Sequence, residues 1–167
     1  IKKSTNDKVG LIYDDNINNH PVIVEADKER IIQVISNLLS NSIQFTKKGY
    51  IFLNIVADND IKEVIVTVRD TGTGINPEIL PRLFSKFVTR SQKGTGLGLF
   101  ISKSIIEAHG GRIWAENNVL DRQGSIFCFT LPLEIKDRVE KEKGKWVIAN
   151  GWKNKGKKNH GSRWRIW

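Results

Sequence analysis

The sequence predicts an α+β fold: a two-layer α/β sandwich with a mixed, mainly antiparallel sheet covered on one face by helices. Three observations carry this. β-branched runs at Tyr50–Ala57 and Glu63–Arg69 flank the turn Asp58-Asn59-Asp60, which is an antiparallel hairpin signal. A second hairpin is predicted over Arg112–Glu116 and Ser125–Leu133. Between the strand pairs lie helical stretches, so strands are joined by hairpins rather than by helical crossovers, and the helices collect on one face.

Taken in order, Leu11–Tyr13 and Val22–Glu25 are short strands separated by a polar, turn-rich stretch, residues 14–21. Asp27 is the predicted N-cap of a first helix, residues 27–44, in which Ile31, Ile35, Leu38, Leu39 and Ile43 recur three and four apart and form one apolar face. Asn76-Pro77 reads as cap and first turn of a short helix. Gly96–His109 is a second long helix, ended by Gly110-Gly111, the pair expected where a helix stops in a left-handed conformation. Beyond Pro132 the pattern fails. Residues 136–167 hold four of the five tryptophans with many Lys and Gly, and suit neither helix nor strand. The chain therefore divides into a domain, residues 1–135, and a basic, Trp-rich tail, residues 136–167, expected to be disordered or foreign to the domain.

Composition narrows the function classes. With 167 residues, 39 % of them hydrophobic, there is enough for one core, and no run approaches the ~18 apolar residues of a membrane span. A lone Cys128 excludes an internal disulfide framework and fits a reducing compartment. The first residue is Ile and the chain has no Met, so it reads as a piece of a longer protein. The tail's eight Lys and three Arg face one Asp and two Glu, which leaves the first 135 residues near neutral although the whole chain carries +9. Attraction to polyanions would therefore belong to the tail and not to the body.

Three polar islands interrupt the core pattern. On the first helix, Gln33, Asn37, Asn41 and Gln44 fall on one side, an amide stripe where Lys and Glu would be the better helix formers. It is either a solvated face or a row of carbonyl oxygens for a hard cation such as Mg²⁺. Asp70-Thr71-Gly72-Thr73-Gly74 follows a strand; Pro77 stands where a dinucleotide fingerprint needs its third glycine, so that pattern fails. What is left is either a turn or a carboxylate placed to accept from an exocyclic amine, with Gly72 and Gly74 allowing close backbone approach to a flat ligand. Lys93-Gly94-Thr95-Gly96-Leu97-Gly98-Leu99 lacks the Walker spacing, yet opens backbone N–H groups at a helix N-terminus, where the dipole favours phosphate.

The order of these islands resembles the ATP-binding domain of sensor histidine kinases, within the superfamily that also holds gyrase-type topoisomerases, mismatch-repair ATPases and an ATP-driven chaperone. The resemblance covers roughly residues 5–133. Asn37-Leu38-Leu39-Ser40-Asn41-Ser42 is similar to the asparagine box and Asp70–Gly74 to the first glycine box. Leu83-Phe84-Ser85-Lys86-Phe87 resembles the phenylalanine box, Gly94–Leu99 the second glycine box, and Gly124–Pro132 the final strand.

The resemblance implies a Bergerat-type fold that binds ATP with Mg²⁺. Asp70 would receive the adenine amine, Asn41 would bind the metal, Asn37 would lie beside the phosphates and Phe45 near the base. Gly72, Gly74, Ile75, Phe87, Ser125 and Gln44 would be further nucleotide-binding residues. Lys93 with Gly94, Thr95, Gly96, Leu97 and Gly98 would form a lid over the triphosphate, Arg90 and Leu99 would also bind the nucleotide, and Asn37 and Lys93 would be the catalytic residues. Two positions depart from the pattern. Gln44 stands where the family usually has Lys, so Lys93 or Arg90 would supply that charge. In the last strand Ile126 takes the slot of the usual threonine, and Ser125 is the nearest hydroxyl.

The resemblance further implies transfer of the γ-phosphoryl group to a histidine on a separate dimerisation and phosphoacceptor domain, with a response regulator receiver domain downstream. The expected location is cytoplasmic, as the cytoplasmic part of a membrane-bound sensor. None of the three histidines, His20, His109 and His160, stands in a helix beside an acid ready to take its proton, and His109 reads as a helix-end cation or cap. The alternative is an ATP hydrolase driving conformational change, but such members carry Glu at the Asn37 position, and an amide cannot act as a base. The same difference weighs against an anti-sigma serine kinase. Binding of nucleic acid or membrane rests on the tail alone, so nucleic acid is not an expected partner of the domain, and the membrane is reached only through other parts of the full-length protein.

Overall fold

The computed structural model describes residues 3–6, 9–15, 22–89, 95–118, 123–133, 139–142, 145–148 and 163–166. Ten strands and two α-helices are seen among them: β1 (Lys3–Asn6), β2 (Val9–Asp15), β3 (Val22–Glu25), α1 (Lys28–Phe45), β4 (Gly49–Asp58), β5 (Glu63–Asp70), α2 (Gly98–Ala108), β6 (Ile113–Asn117), β7 (Ser125–Pro132), β8 (Val139–Glu142), β9 (Lys145–Ile148) and β10 (Arg163–Ile166). Six strands form the main sheet in the order β1-β2-β4-β5-β7-β6. Every neighbour pair is antiparallel except β2 with β4, so the sheet is mixed.

Local chemistry accounts for most boundaries. Asp27 caps α1, its Oδ1 accepting from the Arg30 amide at 3.2 Å, which satisfies one orphan donor of the first turn. In the β4–β5 turn, Asp58 Oδ1 accepts from the amides of Asp60 and Ile61 at 3.0 and 3.1 Å. The helix expected at Pro77 is only a turn followed by a single 3₁₀ turn, Leu80–Arg82. α2 starts two residues later than expected, because Gly96 holds a left-handed φ of +67°. It ends as expected, with Gly110 at φ +74° and the Gly111 amide donating to Ile106 O.

β5 alternates strictly: Val64, Val66, Val68 and Asp70 are buried and their neighbours are less so. The partner strand β7 sets Leu131, Phe129 and Phe127 opposite the three valines. Val34 and Leu38 of α1 and Ile106 of α2 pack with this row, as do Ile51 and Phe129, all within 1 % exposure. The predicted apolar face of α1 is rotated. Val34, Leu38 and Ser42 are the buried stripe, Ile31, Ile35 and Leu39 flank it, and Ile43 is 43 % exposed.

His109 closes the C-terminus of α2 as a neutral ring. Its Nε2 accepts from the Asp27 amide at 3.0 Å and its Nδ1 donates to Ile105 O at 2.7 Å. It is thus a cap, and it joins the end of α2 to the start of α1. The tail, where no strand was expected, contributes β8 paired with β9, and β10 paired with β3. β3 lies outside the main sheet and touches it through an antiparallel bridge from Val24 to Leu133.

Candidate nucleotide site

The inward row of β5 ends on a carboxylate, and the fold surrounds it with donors. Asp70 is 1 % exposed. Its Oδ1 accepts from the amides of Gly72 (2.9 Å) and Ser125 (3.2 Å). Its Oδ2 accepts from the hydroxyls of Ser42 (3.2 Å) and Ser125 (2.5 Å). A carboxylate offers about four lone-pair sites, so this one is satisfied by the chain itself. Close packing keeps it so: a Cβ on Gly72 would meet Phe45 O at 2.5 Å and Asp70 Oδ1 at 2.9 Å.

In front of this floor lies a cleft of about 250 Å³, between α1, the segment after β5, and the start of α2. From α1 it is lined by Asn37, Ser40, Asn41, Gln44 and Phe45. Thr73, Gly74, Ile75 and Asn76 form one wall; Ile79, Leu83, Val88 and Thr89 continue it. Thr95, Gly96, Gly98 and Leu99 face them, and Ser125 and Phe127 close the base. Ser42, behind the cleft, touches Asp70, whereas Asn37 donates through Nδ2 to Gly98 O (3.3 Å) and Ser102 Oγ (3.2 Å) at the start of α2. These two residues are five apart, roughly 7.5 Å of helix rise. The cleft therefore has a carboxylate-backed end and a helix-N-terminus end.

The two ends differ in chemistry. At the first, Ser125 Oγ has its proton committed to Asp70 and shows lone pairs to the cleft, next to the apolar side chains of Ile75 and Phe127. At the second, the first amides of α2 lack intrahelical acceptors and carry the positive end of the helix dipole. The Asn37 orientation is fixed by its partners: Gly98 O can only accept, so the NH₂ faces it and Oδ1 is turned away. Asn41 lines the cleft with a side-chain amide that makes no hydrogen bond to the described residues. No group of three or more His, Cys, Asp or Glu able to hold a metal occurs among the described residues. A cation here would thus arrive with its own phosphate and water ligands, which suits Mg²⁺ and one amide oxygen.

Of the residues expected at the site, Asn37, Asn41, Gln44, Phe45, Gly74, Ile75, Thr95, Gly96, Gly98, Leu99 and Ser125 line the cleft. Asp70 and Gly72 stand behind its floor. Leu97 is the N-cap of α2 and does not line it. Phe87 is 73 % exposed and does not line the cleft; its backbone, at φ +65°, donates its amide to Gly96 O. Gln33, on the same stripe, does not line the cleft; its Oε1 accepts from Arg30 Nη1 at 3.1 Å. Ser125 and Phe127, two apart on β7, line the cleft, and Ile126 between them does not. Arg90, Lys93 and Gly94, like His20 and His160, lie outside the described residues.

Sequence reasoning missed several contributors. Ser42 and Ser102 are fully buried helix serines, and a polar residue on the buried side of a helix was the available signal. Asn117 was missed with no local signal at all. It ends β6 and holds Ile75 through two hydrogen bonds.

An α+β sandwich with a buried carboxylate behind one end of a cleft and a helix N-terminus at the other defines a class of nucleotide-binding domain. Residues 26–135 match the family described as histidine kinase-, DNA gyrase B- and HSP90-like ATPase, and the chain belongs to that family. It is 36 % identical to the nucleotide-free catalytic domain of the histidine kinase ThkA, with a TM-score of 0.65 over 74 % of this chain and 78 % of that one. Full-length ShkA in complex with AMPPNP gives 30 % identity and a TM-score of 0.65, over 75 % of this chain and 26 % of that one. Sensor protein FixL of Bradyrhizobium diazoefficiens is 44 % identical over 114 residues, 66 % of this chain and 22 % of its own length. The sensor histidine kinase WalK of Bacillus subtilis is 33 % identical over 124 residues, 70 % of this chain and 20 % of its own length. The chain thus spans about a fifth of these two relatives, and matches the catalytic domain of histidine kinases.

Proposed function

We propose that this chain binds Mg-ATP in the cleft and transfers the γ-phosphoryl group to a histidine on a separate dimerisation and phosphoacceptor domain, from which it passes to the receiver domain of a response regulator in the cytoplasm. The observation that carries the reading is Asn37. At the phosphate end of the cleft this side chain is an amide whose donors are spent on Gly98 O and Ser102 Oγ. An amide takes no proton, so water is not activated there, and an acceptor that brings its own base is favoured.

Each end of the cleft then has a task. The Ser125 oxygen, backed by Asp70, accepts from the adenine amine, and Ile75 and Phe127 take the ring faces. The amides opening α2 hold phosphate, as helix N-termini do. Asn41 supplies an oxygen to Mg²⁺, which when bound neutralises phosphate charge. Lys93 and Arg90 keep the phosphate role that the resemblance gives them. Positioning and charge stabilisation account for most of phosphoryl-transfer catalysis, and the likeness to the histidine kinase ThkA, the sensor protein FixL and the sensor histidine kinase WalK supports that chemistry. The division between residues 1–135 and the tail 136–167 belongs to the same proposal.

The test is reconstitution. With Mg-ATP and a dimeric helical domain bearing an acceptor histidine, acid-labile phosphate is expected on the added partner alone. Robust ATP turnover by the chain without a partner, unaffected by Asn37→Ala, would overturn the reading in favour of a hydrolase.

A further inference from the structure

The wall of the cleft that faces the base has an unusual support. After Gly74, which turns the chain at φ +72°, Ile75 belongs to neither a helix nor a strand. Its amide donates to Asn117 Oδ1 at 2.7 Å, and Asn117 Nδ2 donates back to Ile75 O at 2.8 Å. One side-chain amide thus replaces the neighbouring strand that Ile75 lacks, satisfying both backbone groups of a part-buried residue. The turn is fitted to it: a Cβ on Gly74 would come within 2.9 Å of Asn117 Oδ1. Asn117 is also the β-ladder partner of Ser125, whose hydroxyl meets Asp70. The same residue therefore fixes the distance between the Ile75 wall and the Ser125 floor.

We propose that Asn117 is a positioning residue for the nucleotide base, holding Ile75 by a two-bond latch so that the base end of the cleft is formed before ligand arrives. This rests on the nucleotide reading above. Without the latch, segment 74–76 samples other conformations and apparent affinity falls by the fraction of time the wall is formed. Geometry makes the requirement specific. An aspartate of the same shape keeps the acceptor for the Ile75 amide but turns a carboxylate oxygen towards Ile75 O, where a donor is needed.

The experiment uses the whole 167-residue chain, with ATP and ADP titrated with and without Mg²⁺ against the parent, Asn117→Ala and Asn117→Asp. Both variants are expected to bind ATP and ADP about tenfold more weakly, by the same factor for each nucleotide. The factor by which Mg²⁺ strengthens ATP binding should not change, since it reads the phosphate end. Hydrogen exchange at the Ile75 amide should be slow in the parent and fast in the variants. Should Asn117→Ala fail to fold, Asn117→Asp and exchange in the parent still decide. Binding by Asn117→Asp equal to the parent, a lost Mg²⁺ enhancement, or rapid exchange at Ile75 in the parent would overturn the inference. A parent that binds no ATP overturns the nucleotide reading itself, and this inference with it.

Discussion

Asp70→Asn separates base recognition from folding, because the four donors on Asp70 are of two kinds. Oδ1 faces the backbone amides of Gly72 and Ser125, which cannot turn; Oδ2 faces the hydroxyls of Ser42 and Ser125, which can. An asparagine therefore keeps its oxygen on the amide side and sets its NH₂ against the two serines, each of which rotates to accept. The fold survives. The Ser125 hydroxyl, however, now accepts from below and shows its proton, not its lone pairs, to the cleft. An exocyclic amine meets a donor where it needs an acceptor. Loss of a hydrogen bond in a site backed by a charged group costs about 1.5–3 kcal/mol, or roughly ten- to a hundredfold in affinity. Calorimetric titration with ATP should show that loss, while inosine triphosphate, which carries a carbonyl in place of the amine, should lose less. A thermal melt on the same samples checks that the variant is folded. If folded Asp70→Asn binds ATP as tightly as the parent, the carboxylate does not read the base and the orientation of nucleotide in the cleft is wrong.

Asn41→Ala should abolish the gain in ATP affinity on adding Mg²⁺ while leaving metal-free ADP binding largely intact; equal losses with and without metal would assign Asn41 to the base or to structure. His109→Ala removes the ring that joins Asp27 N to Ile105 O and should destabilise the fold by about 1–3 kcal/mol, seen as a melting midpoint about 2–4 °C lower per kcal/mol for a chain of this size. Burial pushes the Cys128 thiol above its ordinary value of 9.0, the hydrogen bond with Thr67 opposes this and Glu116 adds to it. Alkylation near pH 8.5 should therefore be slower than for an open cysteine and should speed up on unfolding. The sign for stability follows: the unfolded chain loses this proton at lower pH than the folded one, so stability should decline as pH rises past about 9, and Cys128→Ser should flatten that decline in urea titrations run at several pH values.

Features that depend on neighbours in the chain were legible from the sequence. The Asp27 cap, the two hairpins and the Gly110 stop are each set within a few residues. So is the placing of Asn37, Asn41 and Gln44 on one side of α1, since helix period alone aligns them. Period two in β5 likewise puts Asp70 in line with Val64, Val66 and Val68. What period cannot settle is which side of an element meets the core, and at what register its partner lies. Ile43 looked like core and Ser42 did not, yet Ser42 is buried because Asp70, 28 residues on, offers its hydroxyl an acceptor. Gln33 shares the stripe but ends beside Arg30, outside the cleft. The face of β7 that brings Ser125 and Phe127 to the cleft was decided by its register on β5. The parallel pairing of β2 with β4 and the pairing of β10 with β3 join segments across long stretches of chain and leave no local trace. Asn117 is the extreme case, since its latch to Ile75 spans 42 residues and closes only when β6 lies beside β7. The sequence by itself determined the long helices, the two hairpins and the motifs, because these follow from short-range sterics and periodicity. The tertiary structure alone decided which polar groups are spent on one another and which are left facing the cleft, because a hydrogen bond requires a partner within about 3 Å, and only packing brings distant segments that close.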